Sequence, residues 1–264
     1  MRIIRFIDEK GSDVLGKDRG DGTAEVLDGG LFGPLKPGGR VATVQRLLAP
    51  LSPVNILCIG LNYREHIKES DSSVPDNPVL FMKPTTAIAH PGDPIRIPAC
   101  SRHGPEVDYE GELAVVIGKT ARNVPVERAH DHVLGYTAAN DVSARKWQRN
   151  NGSQWIRGKG FDTFCPLGPA LVTADEIPDP QRLRVRTLLN GTVMQDSSTS
   201  YMIFPVARLV SFLSEDTTLL PGTVILTGTP PGVGFARNPP VFLKPGDRVT
   251  VEVEKIGSLT NPVE

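Results

Sequence analysis

Glu110 and Glu112 stand two apart in the run Val107-Asp108-Tyr109-Glu110-Gly111-Glu112-Leu113-Ala114-Val115, a spacing that sets both carboxylates on one face if the run is a β-strand. Taken alone, the pair reads as solvated alternation on an exposed strand, because acidic residues are seldom buried without a partner. The run continues into the apolar Leu113 to Ile117, which marks the strand as central, and two like charges on a central strand call for a cation. Asp141 adds a third carboxylate where the apolar stretch Val133 to Asn140 ends and Val142 to Gln148 has the composition of a helix start. In such a helix Arg145 and Gln148 fall at i+4 and i+7, on the face of Asp141; the plain alternative is an N-cap aspartate with a surface ion pair to Arg145. Three oxygen ligands with neither thiolate nor imidazole beside them suit Mg²⁺, Mn²⁺ or Ca²⁺ better than Zn²⁺. A 2-oxo acid can chelate such an ion through its carboxylate and keto oxygens, which polarises the carbonyl and stabilises an enolate.

Three further segments carry polar chemistry. In Gly60-Leu61-Asn62-Tyr63-Arg64-Glu65-His66-Ile67-Lys68-Glu69, His66 and Glu69 lie one helical turn apart, so the carboxylate can hold one imidazole nitrogen and leave the other free as a general base. Without the acidic cluster this would be an ordinary surface pair; with it, a base is the missing part. Lys159, between Gly158 and Gly160, has backbone on either side that permits close approach to a ligand, and its ammonium could stabilise an oxyanion. Thr227-Gly228-Thr229-Pro230-Pro231-Gly232-Val233-Gly234 resembles a phosphate loop superficially, but it lacks the terminal Gly-Lys-Ser/Thr, and its prolines remove amide donors. Nucleotide binding is excluded on that ground. A rigid loop that offers the Thr229 hydroxyl and neighbouring amides to a substrate carboxylate is the functional reading, and a plain structural turn is the alternative.

The elements that must position these groups are short. The 26 glycines and 24 prolines in 264 residues favour many strands and tight turns over long helices. Arg2 to Phe6 and Ala24 to Leu27, separated by Gly-rich turns, read as a small β subdomain over residues 1–53, with Ala42 to Ala49 as one short helix. A main domain over 54–264 starts with the strand Val54 to Ile59, which stops at Gly60, where a glycine can adopt positive φ. Leu80 to Lys83, Ile95 to Pro98, Val107 to Ile117, Val133 to Asn140, Thr223 to Thr227 and Arg248 to Val253 follow as strands. Asn190-Gly191 is a hairpin turn between Leu183 to Leu189 and Thr192 to Gln195. Pro205 to Ser214 is a helix with proline in its first turn and Val206, Leu209, Val210 and Leu213 on one face.

A composition of 39% hydrophobic and 22% charged residues is ordinary globular usage. A net charge of -1 without runs of like charge lacks the footprint of a nucleic-acid binder or membrane-surface protein, so the expected partner is a small molecule. Cys58, Cys100 and Cys165 are odd in number and far apart, which argues against a disulfide framework or a CxxC zinc site and for a reducing compartment. With no signal-like h-region and no apolar stretch long enough to span a bilayer, the chain is expected to be cytoplasmic.

The motifs GLNYREH with Glu69, FMKP, DYEGELAVVIG, NDVSARKWQ, GKGFDTFCPLGP and LTGTPPGVG occur in the order found in fumarylacetoacetate hydrolase proteins, and they cover the chain from about Val54 onward. Each is weak alone; the ordered set is specific. QWIRGKGFDTFCPLGPALVT and LTGTPPGVG with the later PPVFLKPGD most resemble the domain-containing protein 2 subgroup of that family. The resemblance implies an α+β fold, mostly β, of the mixed β-roll type with few short helices, and a homodimer. It also implies Mg²⁺ or Mn²⁺ held by Glu110, Glu112 and Asp141, and substrate or intermediate bound by Lys159, Arg145, Gln148 and Thr229. His66 and Glu69 become a catalytic dyad on a mobile lid. Lys146 stands where relatives commonly carry an acidic residue, and Gly111 where they carry a bulkier one. The expected reaction is C–C hydrolysis of a 2,4-dioxo acid, with His66 activating water. Oxaloacetate tautomerisation or decarboxylation, or isomerisation of a 2-hydroxy-dienoate, is the alternative at the same site.

Overall fold

A computed structural model describes residues 1–101, 104, 106–150 and 154–264. Among them, twelve strands join one large sheet and four a second. The large sheet runs, edge to edge, Lys36–Thr43, Thr23–Asp28, Asp13–Asp18, Arg2–Ile7, Cys165–Thr173, Val133–Asn140, Gly111–Ile117, Thr223–Leu226, Asn55–Gly60, Val79–Lys83. Along this order neighbours are antiparallel except Thr223–Leu226 with Asn55–Gly60. The second sheet is Thr192–Ser198, Arg184–Leu189, Arg248–Val253, Gly257–Pro262. The fold is mostly β with few short helices, as the family resemblance implied.

Gly111–Ile117 is buried along its whole length, which is why it reads as a continuous apolar run rather than an alternating one. Leu113, Val115 and Ile117 face the second sheet and pack with Val185, Val251 and Leu259. Ala114 and Val116 face the other way, with Cys58, Leu167, Val224 and Leu226. The helix Val206–Ser214 lays Val206, Leu209, Val210 and Leu213 into the first of these cores, and the Asn190-Gly191 turn takes positive φ at both positions, as a tight hairpin requires.

Several elements differ from the sequence reading. Ala42 to Ala49 is not helical: it divides between the strands Lys36–Thr43 and Arg46–Leu48, which pair with Thr23–Asp28 and Arg2–Ile7. The β-branched Thr43 and Val44 and available strand partners outweigh the weak helical spacing of this segment. Ile95 to Pro98 forms only the bridge Ile95–Val263. Pro94 and Pro98 lack amide donors, and the Arg96 N–H turns aside to Thr163 Oγ1 at 2.9 Å. Val107 to Ile117 is two strands, Val107–Asp108 and Gly111–Ile117, broken at Tyr109-Glu110. After Asp141 the chain forms the short strand Ser143–Ala144 before the helix Arg145–Arg149 begins. Gly60 does not carry the positive φ; Leu61 does, at 56°. A glycine is needed at 60 for a different reason, since a Cβ there would lie 2.3 Å from the Trp155 ring.

At Gly111 the two sheets approach each other closely. A Cβ on it would fall 2.1 Å from Thr187 Oγ1, in the buried pair that Thr187 makes by donating to Gln195 Oε1 at 2.6 Å. Gly111→Ala is therefore expected to cost about 1–3 kcal/mol by overpacking, read as a lower urea midpoint at unchanged slope; an unchanged midpoint would show that the sheets separate freely here.

Candidate active site

The three carboxylates singled out from sequence meet: Glu110, Glu112 and Asp141 are buried, with one ligand atom of each inside a 4.8 Å cluster. They do so by a different route from an unbroken strand. Glu112 lies within Gly111–Ile117, whereas Glu110 sits at the strand break, its N–H donating to Asn140 Oδ1 at 3.0 Å. Its carbonyl accepts the Asp141 N–H at 2.8 Å. The Asn140 side chain thus holds the Glu110 backbone, and a direct backbone bond ties Glu110 to Asp141.

Cations surround them. Lys159 Nζ lies 2.7 Å from both Glu110 Oε2 and Asp141 Oδ2. Arg145 Nη1 lies 2.7 Å from Glu110 Oε1, and Lys83 Nζ donates to Asp141 Oδ1 and, at 3.1 Å, to the Val142 carbonyl. Arg145 spends Nε and Nη2 on Asp108 Oδ2 at 2.9 and 2.7 Å, and Nη1 also donates to Gln148 Oε1 at 3.1 Å. Burial would push the Glu110 carboxyl upward, but the Lys159 and Arg145 charges overcome that and hold it well below the usual range. Glu112 goes the other way: burial, then the Asp141 and Glu110 charges, push it well above. It accepts the Gly228 N–H at 2.7 Å. Four carboxylates, Asp108 included, thus face three cations, and Glu112 is the acid left in excess. Because each carboxylate oxygen keeps a second lone pair after accepting one hydrogen bond, the cluster can take a hard divalent cation beside these partners, and its all-oxygen donor set matches one. Cys58 and Cys165 are buried nearby; burial raises both thiols, Cys165 to about 12, so neither supplies a competing thiolate.

Lys159 reaches the cluster because its helix Ile156–Lys159 packs tightly on Arg145–Arg149. A Cβ at Gly158 would lie 2.4 Å from the Gln148 nitrogen, and one at Gly160 would lie 2.7 Å from Pro84. His66 and Glu69 are joined as expected, Nδ1 to Oε1 at 2.8 Å, on the helix Arg64–Glu69. Glu69 also accepts the Gly232 N–H at 3.1 and 2.9 Å. The Gly232 loop therefore spends amides on the site's own carboxylates: Gly228 on Glu112, Gly232 on Glu69, and Gly234 and Phe235 on Asp108 at 2.8 and 3.0 Å. Thr229 lines the cavity, but its single hydroxyl proton goes to the Gly111 carbonyl at 3.1 Å while it accepts from Gln195 Nε2 at 2.8 Å.

His66, Glu110, Glu112, Arg145, Gln148, Lys159 and Thr229 line one cavity of about 120 Å³, walled by Phe81, Trp155 and Phe235. Ligand sites for drug-sized molecules run to roughly 300–1,000 Å³, so this one suits a small acid. Sequence reasoning missed Lys83, Asp108 and Gln195. Asp108 continues the two-residue alternation of Glu110 and Glu112, a signal present in the sequence. Lys83 and Gln195 find their partners only through the fold.

The model of the fumarylacetoacetate (FAA) hydrolase C-terminal family matches residues 55–264. A curated relative, "Oxaloacetate tautomerase fahd2, mitochondrial" of Xenopus laevis, is 54% identical over 219 residues, 82% of this chain and 68% of that protein. "Oxaloacetate tautomerase FAHD2A, mitochondrial" of Homo sapiens is 46% identical over 250 residues, 93% of this chain and 77% of that protein. A solved structure of 5-carboxymethyl-2-hydroxymuconate delta-isomerase from Mycobacterium smegmatis superposes with a TM-score of 0.87 at 44% identity, covering 100% of this chain and 99% of that one. The chain belongs to the fumarylacetoacetate hydrolase family and is an enzyme of that family. Within it, the chain falls in the domain-containing protein 2 subgroup. Among the described residues no helix is long and apolar enough to cross a membrane.

Lys83 gives the site a test independent of activity. Lys83→Met leaves Asp141 buried with one cation fewer, and breaking a buried pair costs about 3–5 kcal/mol. A melting temperature lower by on the order of 10 °C is expected from thermal unfolding followed by circular dichroism; a fall of less than about 2 °C would mean that Lys159 alone suffices for Asp141.

Proposed function

We propose that the chain interconverts the keto and enol forms of oxaloacetate, with Mg²⁺ or Mn²⁺ held by Glu110, Glu112 and Asp141. The observation that carries this reading is a cavity sized for a small acid, lined by a joined His–Glu pair and three clustered carboxylates. Relatives that share about half of its residues and are named oxaloacetate tautomerase support this reaction over C–C hydrolysis. Isomerisation of a 2-hydroxy-dienoate is the second reading, favoured by the likeness to the solved delta-isomerase. Both are proton shifts that need no attacking water.

A divalent cation at the three carboxylates would polarise the 2-oxo carbonyl and lower the cost of negative charge on its oxygen. The chain's own groups do the rest. Glu69 holds His66 by Nδ1, which leaves Nε2 as the base that takes a proton from carbon 3. The C–H electron pair becomes the C2–C3 double bond, and the carbonyl electrons move to the C2 oxygen. Return of the proton to that oxygen gives the enol, and return to carbon restores the ketone. Lys159 has a third ammonium proton beyond those facing Glu110 and Asp141, available to the charged oxygen. Gln148 and Arg145 border the substrate's other end. We further propose a homodimer, as the family resemblance implies.

Stopped-flow ultraviolet absorbance would follow the loss of the enol band of oxaloacetate, with acetylpyruvate cleavage assayed beside it. Acceleration with oxaloacetate that falls at least roughly a hundredfold in His66→Ala, and is lost in Glu110→Ala, is the expected result. Acetylpyruvate cleavage without acceleration of the tautomers would return the site to C–C hydrolysis.

The raised carboxyl of Glu112 fixes the sign of a pH effect. The folded, metal-free chain holds a proton that the unfolded chain releases at the ordinary glutamate value, so stability falls as pH rises from that value toward the raised one. A cation replaces the proton, so its affinity rises with pH across the same window. The gain in melting temperature from added Mg²⁺ or Mn²⁺ over chelator should widen with pH and should flatten in Glu112→Gln. A gain independent of pH in the wild type would remove Glu112 from the ligand set.

A further inference from the structure

A four-carbon 2-oxo dicarboxylate brings a second negative charge that the groups described so far cannot balance. Arg145 already faces two carboxylates, Asp108 and Glu110, and also donates to Gln148. Lys83 and Lys159 are matched against Asp141 and Glu110. Arg149 is placed differently. It closes the helix Arg145–Arg149 one turn beyond Arg145, so the two side chains lie on one helix face. Both line the cavity, Arg145 buried within it and Arg149 exposed at its solvent side. Each guanidinium carbon lies 4.3 Å from the centre of the Phe235 ring. Stacking of this kind occupies the flat face of a guanidinium and leaves the N–H donors at its edge available. Among the described ion pairs, none includes Arg149. Partial burial and then the Arg145 charge lower its pKa below the ordinary arginine value, against the opposing pull of Asp108.

We propose that Arg149 is a specificity-determining residue that binds the distal carboxylate of a 2-oxo dicarboxylate whose 2-oxo end lies at the three acids. Phe235 orients it by stacking, on the ring it shares with Arg145. The assignment rests on the 2-oxo acid reading above and adds the reason why a dicarboxylate is preferred to a monocarboxylate.

Isothermal titration of Mg²⁺-loaded protein with oxaloacetate and with pyruvate isolates the second carboxylate, since both acids share the 2-oxo carboxylate. Wild type is expected to bind oxaloacetate at least roughly tenfold more tightly than pyruvate, the scale of one charge-assisted hydrogen bond. Arg149→Gln should erase that advantage with pyruvate affinity unchanged, and Arg149→Lys should keep part of it. Equal wild-type affinity for the two acids, or an advantage that survives Arg149→Gln, overturns the assignment. Binding of neither acid overturns it together with the 2-oxo acid reading. An Arg149-dependent advantage without any acceleration of the tautomers would leave the assignment standing and sink the proposed reaction alone.

Discussion

Three carboxylates inside a 4.8 Å cluster, all buried, are the constraint around which the rest of the structure is arranged. Two unit charges at about 4 Å repel by ~4 kcal/mol at an effective dielectric of 20, against a net stability of roughly 5–15 kcal/mol for a whole domain. Such a cluster persists only if cations are delivered to it from elsewhere in the chain. Lys83 arrives at the end of the edge strand Val79–Lys83, Arg145 at the start of one helix and Lys159 at the end of another. The glycines at 158 and 160 make the last of these possible, because a side chain at either would push the Lys159 helix away from Gln148 or Pro84. Glu112 is left with a raised carboxyl, so the site balances most but not all of its negative charge. A divalent cation would offset that residual imbalance.

The loop after Thr223–Leu226 joins the separate parts of the site. Its amides reach Glu112, Glu69 and Asp108, that is, the acidic cluster, the histidine's partner and the anchor of Arg145. Gly228 and Gly232 have φ of 98° and 106°, values that a residue with a Cβ rarely adopts. Gly232 also lies where a Cβ would strike the Met194 carbonyl at 2.2 Å. Its backbone shape is therefore specified twice, by conformation and by packing, and Gln195 fixes it again by donating to the Pro230 carbonyl at 2.7 Å. A loop held this firmly positions the His66–Glu69 pair relative to the acids without a covalent or metal link between them.

How much of this was legible depended on how local each signal was. The His66–Glu69 turn, the Asn190-Gly191 hairpin and the helix after Pro205 are encoded within a few residues, and each is found where the sequence puts it; the Glu110 and Glu112 carboxylates also meet, though not from one unbroken strand. Cys165–Thr173, which carries the N-terminal strands by pairing with Arg2–Ile7, was hidden because Pro166, Gly168 and Pro169 demote a strand reading. Lys83 looked like any strand-end lysine, since its partner Asp141 lies 58 residues away. The break at Tyr109-Glu110 was invisible for a related reason: alternation of acids looks the same whether a strand continues or yields to the Asn140 side chain. Glu110 still reaches the cluster because its backbone bonds to the Asn140 side chain and to Asp141 bring the carboxylate back to it.

Charge alone does not select among the reactions of such a site, since hydrolysis, decarboxylation and tautomerisation all develop negative charge on the same oxygen. Selection falls to what the walls admit. Hydrolysis of a 2,4-dioxo acid needs room for an acyl group and for a water held against its carbonyl, whereas a proton shift within a four-carbon acid needs one base and a closed space. Phe81, Trp155 and Phe235 wall the cavity, and Trp155 cannot retreat toward Gly60, which it already contacts closely enough to forbid a Cβ. With Lys159 held 5.1 Å from the Phe81 ring centre, the apolar wall is itself tied to the charged cluster. On the Trp155 and Phe81 side the space is thus limited by the same packing that delivers the cation, so enlarging it there would disturb the charge balance on which the site depends.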